Sequence, residues 1–252
     1  MSSKKVVILT PITLLIDMKY LFTLLTCFLF TAVVAKKPQF QYVRISTNQG
    51  TALIKLYNET PLHRDNFIKL AKKGFYNGTL FHRVIKNFMI QGGDPDSKNA
   101  ASDKELGEGD VGYTVPAEFN DSLFHKKGVL AAARDDHPQK ASSGCQFYLV
   151  QGKVFSDEEL DRLETHRLHF KLPLDQREVY KSLGGSPHLD RNYTVFGEVI
   201  HGIALIDQVA AVETGKNDRP IVNVAMTVTV LKKREARKLE RKIKKALTQV
   251  KA

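Results

Sequence analysis

The sequence of 252 residues contains no tryptophan and only two cysteines, Cys27 and Cys145. Two cysteines do not make a disulfide framework, and Cys27 lies in an apolar leader, so we interpret Cys145 as a small buried residue rather than a reactive thiol. The CxxC and Cys/His spacings that bind zinc are absent. Gly92-Gly93 is interpreted as a tight turn, because no phosphate-binding glycine motif surrounds it. The sequence therefore predicts no metal and no cofactor.

Outside the C-terminal residues, the chain has little net charge. The formal net charge is +11, and residues 232–252 contribute +8 of it through ten lysines or arginines and two glutamates. The remainder is nearly balanced, which argues against a basic surface for nucleic acid.

The basic tail, residues 232–252, has Leu239, Ile243, Leu247 and Val250 at roughly helical spacing. We expect a basic helix that either lies solvated on the folded domain or binds an anionic membrane surface or an acidic partner. The tail has no aromatic residue that could stack on bases, so nucleic acid is not an expected partner.

The long apolar run lies near the N terminus. Met18-Lys19 precedes apolar residues 20–35, and Lys36-Lys37-Pro38 follows. This pattern favours a signal peptide over residues 1–35 with cleavage after Ala35 and a true start at Met18. An uncleaved membrane anchor and a lipoprotein site at Cys27 stay open as alternatives. We expect a periplasmic or secreted protein, with a membrane-anchored form as the alternative.

Short strands separated by turns dominate residues 36–231. Residues 41–47 and 51–57 are predicted to form a hairpin around Asn48-Gln49-Gly50, since Ala52, Ile54 and Leu56 alternate with Thr51, Lys55 and Tyr57 in the second strand. Thr60 is predicted to cap a helix that Gly74 ends. Further predicted elements are strands near 81–84, 88–92, 129–133, 146–150, 194–199 and 224–230, and a helix at 203–212. Many short strands with only two helices favour a closed sheet.

One segment of fourteen residues, Phe81 to Asp94, carries most of the chemical information. It places Arg83, a permanently charged donor, near two apolar residues, Phe88 and Met89, and near the amide of Gln91. Arginine within such an apolar and amide setting is typical of a functional site.

This segment resembles the FHR-x5-MxQGGD core of the cyclophilins, which are peptidyl-prolyl cis-trans isomerases. The similarity extends over about residues 42–230 and continues in the segments 60–79, 113–119, 128–134, 143–148 and 195–199. The resemblance implies a mainly β fold: a closed eight-stranded antiparallel barrel capped by two helices. To this the chain adds a charged, helix-leaning insertion at about 152–188 and the basic tail. The insertion is either a surface excursion or a lid that shapes substrate choice.

The resemblance also implies roles for individual residues. Arg83 is expected to donate to the imide nitrogen of a twisting X-Pro bond, and Gln91 to bind the neighbouring carbonyl and hold Arg83. The apolar slot for the proline ring is assigned to Phe88, Met89, Tyr148 and Leu189. Ala133 and Arg134 are expected to meet the residue before proline, and Gln146 to line the adjoining pocket.

Some positions depart from the eukaryotic members of the family. Arg134 stands where asparagine is usual, Tyr193 at the rim where histidine is usual, and His188 where tryptophan is usual. The Arg134 and Tyr193 choices resemble bacterial members. The missing indole N–H at position 188 predicts weak cyclosporin binding.

The predicted function is acceleration of X-Pro rotation in exported polypeptides, which assists their folding. Its expected partners are extended, proline-containing chains. Two alternatives stay open: a module that binds proline peptides without turnover, and a holdase chaperone.

Overall fold

The structure is a computed structural model that describes residues 40–250. The predicted signal peptide, its cleavage site, Cys27 and the alternative start at Met18 lie outside the described residues. Ten strands are described: β1 Gln41–Thr47, β2 Gly50–Leu56, β3 Phe81–Ile85, β4 Met89–Gly92, β5 Thr114–Val115, β6 Val129–Ala132, β7 Ser142–Ser143, β8 Phe147–Val150, β9 Val195–His201 and β10 Thr227–Val230.

Five α-helices accompany the strands: α1 Pro61–Lys72, α2 Asp157–Leu163, α3 Leu174–Ser182, α4 Ala204–Ala210 and α5 Lys233–Val250. A π-helical turn, Glu164–Leu168, continues α2, and short 3-10 turns occur at Pro95–Ser97, Pro187–Leu189 and Lys216–Asp218. The predicted helices at residues 60–74 and 203–212 are confirmed as α1 and α4.

Eight strands form one curled antiparallel sheet in the order β10-β1-β2-β9-β6-β8-β4-β3, and β5 pairs with β7. Among the described residues the ladder is not closed, so the predicted closed barrel is corrected to a curled open sheet. The predicted last strand divides: Thr227–Val230 pairs with β1, whereas residues 224–226 turn toward the β3 edge. There the Phe81 amide donates to the Val224 carbonyl at 2.9 Å. Isolated hydrogen bonds thus link the two edges.

The concave interior of the sheet holds the main hydrophobic core. Ile45, Ile54 and Leu149 are fully buried there, and helices α1 and α4 pack on the same cluster. Phe67, Leu70 and Ala71 form the buried face of α1 in this core.

Helix α1 begins where the sequence predicts, but with a different cap. The side chain of Thr60 makes no capping hydrogen bond. Instead the Glu118 carboxylate accepts from the backbone amides of Leu62 at 3.0 Å and His63 at 2.9 Å. A carboxylate satisfies the free amides and opposes the positive end of the helix dipole. A residue distant in sequence therefore replaces the predicted local cap.

Residues 152–188 fold around a small core of their own. Ser156 forms a capping box with Glu159: each side chain accepts from the other residue's backbone amide, at 3.2 and 2.9 Å. Phe155, Leu160 and Tyr180 are buried together. The segment is therefore packed and ordered by its own contacts.

Residues Lys233–Val250 of the tail form helix α5. Ala236 is buried, and the Tyr42 hydroxyl donates to Glu240 at 3.3 Å. The first turns of α5 thus contact β1, while Arg237, Arg241 and Lys242 are exposed. Between residues 40 and 250, no helix has both the length and the hydropathy that a membrane crossing requires.

Candidate active site

A groove lies on the convex face of the sheet, opposite the main core. Side chains alternate between the two faces of each strand. On β4, Ile90 faces the main core, whereas Met89 belongs to a second cluster. On β8, Phe147 faces the main core and Tyr148 the second cluster. The strand period therefore presents Met89 and Tyr148 on one surface.

The groove has a volume of about 140 Å³. Nine of the ten residues selected from the sequence line it: Arg83, Phe88, Met89, Gln91, Ala133, Arg134, Tyr148, Leu189 and Tyr193. The structure thus brings together residues that are up to 110 positions apart. Met89, Tyr148 and Leu189 are buried at its apolar base, and Phe88 is partly exposed at its edge.

Gln146, the tenth residue, lies behind the groove instead of lining it. Its side-chain nitrogen donates to the carbonyls of Gly107 at 2.6 Å and Gly109 at 2.9 Å. Its side-chain oxygen accepts from the amide of Gln91 at 3.0 Å. Because both ends of this amide are engaged, Gln146 fixes the orientation of Gln91.

Arg83 lies at the open side of the groove. It is the direct cross-strand partner of Gln91 in the β3–β4 hairpin. Its terminal nitrogen donates to the Gln91 oxygen at 3.4 Å, and its Nε lies 3.5 Å from the Asp218 carboxylate. The side chain is 45% exposed. Two contacts therefore orient the guanidinium, and its remaining N–H groups can meet a ligand.

Arg134 and Tyr193 form the opposite wall. The Arg134 guanidinium stacks 4.8 Å from the centre of the Tyr193 ring, and its Nε donates to the Asn192 carbonyl at 2.9 Å. Tyr193 in turn meets the ring of Tyr148 edge-on at 6.0 Å. Cation–π stacking and a backbone acceptor hold this arginine, so it differs from the more open Arg83.

The hydroxyl of Tyr148 begins a buried chain of hydrogen bonds that leads to the insertion. It lies 2.9 Å from Nε2 of His125, whose Nδ1 lies 2.8 Å from the Asp190 carboxylate. The Tyr180 hydroxyl of α3 donates to the other Asp190 oxygen at 2.7 Å. Burial raises the pKa of Tyr148 and Tyr180 well above the ordinary value, so both phenols stay neutral and available as donors.

His125, Asp190, Tyr180 and Asp218 were missed by the sequence reasoning. One signal was available, because Tyr148 places a hydroxyl in the predicted apolar slot. A buried phenol needs a polar partner. That partner is His125, but nothing in the local sequence identifies it.

The arrangement suits binding and polarisation better than proton transfer. The ring of His188 stacks on Phe88, with ring centres 5.3 Å apart. Burial lowers the pKa of His188 to about 4, so this histidine is uncharged near neutral pH. Burial likewise raises the pKa of the Cys145 thiol to about 11, which keeps it protonated as expected for a buried structural cysteine. Within residues 40–250, no three His, Cys, Asp or Glu side chains gather as metal ligands would.

The sequence and the fold match one protein family. The family model described as cyclophilin type peptidyl-prolyl cis-trans isomerase/CLD matches residues 42–230. A putative peptidyl-prolyl cis-trans isomerase of Staphylococcus haemolyticus is 34% identical over 185 residues, which cover 73% of this chain and 87% of the relative.

Two further similarities are more limited. A putative bifunctional phosphatase/peptidyl-prolyl cis-trans isomerase of Streptococcus pyogenes is 36% identical over 183 residues, which are 71% of this chain but only 36% of that longer protein. A crystal structure of a cyclophilin type isomerase from Cryptosporidium parvum, determined in the presence of the dipeptide Ala-Pro, shares the fold. Its TM-score is 0.55 at 24% identity, covering 76% of this chain and 99% of that one.

Proposed function

The chain belongs to the cyclophilin-type peptidyl-prolyl cis-trans isomerases, and we propose that Arg83 is the group that lowers the rotation barrier. The planar imide resists rotation by about 18–20 kcal/mol because the nitrogen lone pair is delocalised. In the twisted transition state the nitrogen regains that lone pair. A fixed N–H donor beside it therefore binds the transition state more strongly than either planar isomer.

The observation that carries this proposal is the position of Arg83 above an apolar slot. The groove volume of about 140 Å³ is several times the roughly 30 Å³ share of one water molecule, so a five-membered ring can enter. The contact to Asp218 is long and half exposed, so it orients Arg83 without occupying the slot. We assign Gln91 to bind the substrate carbonyl and to hold Arg83.

The groove also suggests how a peptide runs through it. Ala133 lines one end, which we call the Gln146 end because the Ala133 amide donates to the backbone carbonyl of Gln146, behind the groove, at 3.0 Å. Phe88 lies at the other end, where its carbonyl accepts from the amide of Gln151 at 3.0 Å. We assign the Gln146 end to the residue before proline, with Ala133 and Arg134 as its contacts, and the Phe88 end to residues that follow. Phe88, Met89, Tyr148 and Leu189 hold the ring.

The test is a proline-limited refolding assay with matched arginine variants. Arg83→Ala should lower kcat/KM by roughly 10²–10³-fold, the cost of removing one preorganised donor. Arg83→Lys should recover only part of the activity, since a single ammonium lacks the planar fork. Arg44→Ala is the control, because Arg44 is an exposed strand residue outside the groove. Equal rates for Arg83→Ala and wild type would remove Arg83 from the mechanism.

A pure binding module or a holdase remains the alternative for the cellular role. The donor above the slot favours turnover, because capture of a proline peptide requires no group aimed at the imide nitrogen. A direct comparison would measure refolding of a proline-limited client and suppression of aggregation of a proline-free client. Loss of the first activity alone in Arg83→Ala supports catalysis as the main role.

We propose that the protein acts on exported chains in the periplasm or outside the cell. The apolar leader at residues 20–35 supports this location. N-terminal sequencing of the mature protein tests it: an end at Lys36 agrees with cleavage after Ala35, whereas an intact leader favours the membrane-anchored form.

The tail is proposed to bind an anionic membrane surface or an acidic partner. Its exposed arginines on α5 support this role. Co-sedimentation with anionic vesicles, compared with neutral vesicles, distinguishes the lipid surface from a protein partner. If the protein sediments with neither kind of vesicle and binds no acidic protein, the tail helix is a solvated structural element.

A further inference from the structure

A second, larger cavity adjoins the Phe88 end of the groove. Its volume is about 580 Å³, and it lies between the β3–β4 turn, at Asn87 and Phe88, and the insertion. Phe88 lines both spaces, and His188 stacks on Phe88 at the boundary. A peptide that leaves the groove past Phe88 therefore enters this second space, which we call the basic cavity.

Charge is distributed unevenly around the basic cavity. Among its walls, Lys153 and Glu159 pair at 2.7 Å and largely cancel. Arg162 and Arg167 also line it, and neither has an acidic partner at ion-pair distance among the described residues. The residues that line the cavity therefore carry a net charge of +2.

Three more carboxylates of the insertion, those of Asp157, Asp161 and Glu164, bind a different set of partners. Arg177 binds Asp157 at 2.9 Å, Asp161 at 3.0 Å and Glu164 at 2.8 Å. Lys181 also pairs with Asp157 at 2.8 Å. Because these carboxylates are already engaged, they do not neutralise Arg162 and Arg167.

The local backbone explains why the two arginines share one cavity. They are five residues apart, and the chain between them passes from α2 into the π-helical turn Glu164–Leu168. A π-helical turn bonds residue i to i+5, so it places residues at that spacing on one face. Single π-helical turns are frequent at functional sites. The geometry brings the pair to the side of Phe88 and His188.

We propose that the basic cavity is a subsite for a carboxylate side chain, aspartate or glutamate, on the client residues that follow the proline. Arg162 and Arg167 bind the carboxylate, and the insertion thereby selects clients. This inference depends on the proposed direction of the peptide through the groove. Electrostatic contacts of exposed arginines are weak one by one, so the effect is a preference among clients rather than an absolute requirement.

The experiment measures isomerisation of short peptides with one proline by NMR exchange. Each peptide carries glutamate or, as its neutral match, glutamine at one position after the proline. For wild type, the best glutamate peptide should have a kcat/KM roughly three- to tenfold above its glutamine match. At an ionic strength of about 1 M, where the Debye length is about 3 Å, this ratio should approach one.

Variants locate the effect. The double variant Arg162→Gln, Arg167→Gln should bring the ratio close to one, and Arg167→Glu should favour lysine over glutamate at the same position. The control double variant Arg44→Gln, Lys72→Gln removes an equal charge from exposed positions outside the cavity and should leave the ratio unchanged.

The outcomes separate the two proposals. Normal turnover of the glutamine peptide with no glutamate preference, or a preference that survives in the double variant, overturns the subsite and leaves the isomerase site intact. Absence of turnover on every peptide overturns the proposed catalytic site itself.

Discussion

Removing the hydroxyl of Tyr180 tests whether the buried chain beneath the groove stabilises the protein. Tyr180 is fully buried, and its hydroxyl donates to the Asp190 carboxylate at 2.7 Å. Tyr180→Phe keeps the ring and its edge-on contact with Phe124 at 5.4 Å. The ring should therefore pack equally well in wild type and variant, and the difference in their free energies of unfolding reports the loss of one buried hydrogen bond.

The expected loss follows from that single bond. A hydrogen bond to a charged group contributes about 1.5–3 kcal/mol, and Asp190 retains its contacts to the backbone amide and Nδ1 of His125 at 2.8 Å each. We therefore expect a loss of about 2 kcal/mol in the free energy of unfolding. With a urea m-value of about 3 kcal/mol/M, the midpoint should fall by roughly 0.7 M.

The matched control is Tyr113→Phe, which also removes one hydroxyl bond of 2.7 Å, to Asn66, but at an exposed position. This loss should stay within about 0.5 kcal/mol. Similar midpoint shifts for the two variants would refute the argument from burial. In a double-mutant cycle, Tyr180→Phe and Tyr148→Phe should show a coupling of at least about 0.5 kcal/mol, since both bonds belong to one network.

Three further predictions concern protonation and the rim of the groove. Burial lowers the pKa of His82 from 6.5 to about 4, so the unfolded chain takes up its proton first and stability falls as the pH drops through this range. Urea denaturation should register a contribution of roughly 2 kcal/mol between pH 7 and about pH 4.5, and a flat profile would contradict it. Asp218 has a positive φ of 58°, which asparagine tolerates, so Asp218→Asn should fold normally. It should lower kcat/KM by less than about fivefold, because the exposed contact to Arg83 is weak; a larger loss would mean that Asp218 does more than orient Arg83. His188→Trp should tighten cyclosporin binding through the added indole N–H, and its own fluorescence reports the titration, since the wild-type chain has no tryptophan; an unchanged affinity would refute the rim argument.

Local patterns predicted the parts of the fold that depend on local chemistry. Alternating polarity located the β1–β2 hairpin, which the structure confirms with Ile54 buried and Lys55 partly exposed. Arg83 and Gln91 are cross-strand partners because a tight turn lies between them, in which Asn87 adopts the left-handed region at φ 62°. The capping box at Ser156 is equally local.

Contacts between distant residues could not be predicted in this way. The Glu118 cap of α1 comes from 55 residues away, and Asp218 lies in a turn far from Arg83 in the chain. The sheet stays open because residues 224–226 turn toward β3, whereas residues 227–230 pair with β1. The periodicity of side chains does not reveal which strand a residue bonds to. The sequence could therefore identify the groove residues but not what orients them.

The insertion cannot be separated from the groove as an independent surface element. Leu189, at the base of the proline slot, and Asp190, the acceptor for Tyr180, are consecutive residues at a single 3-10 turn. A displacement of α3 would either break the buried bond to Asp190 or move Leu189 with it. Buried polar groups are costly to leave unpaired, so the first alternative is disfavoured. The position of the insertion and the shape of the proline slot are therefore mechanically linked, and a client bound in the basic cavity contacts a segment that also forms the slot.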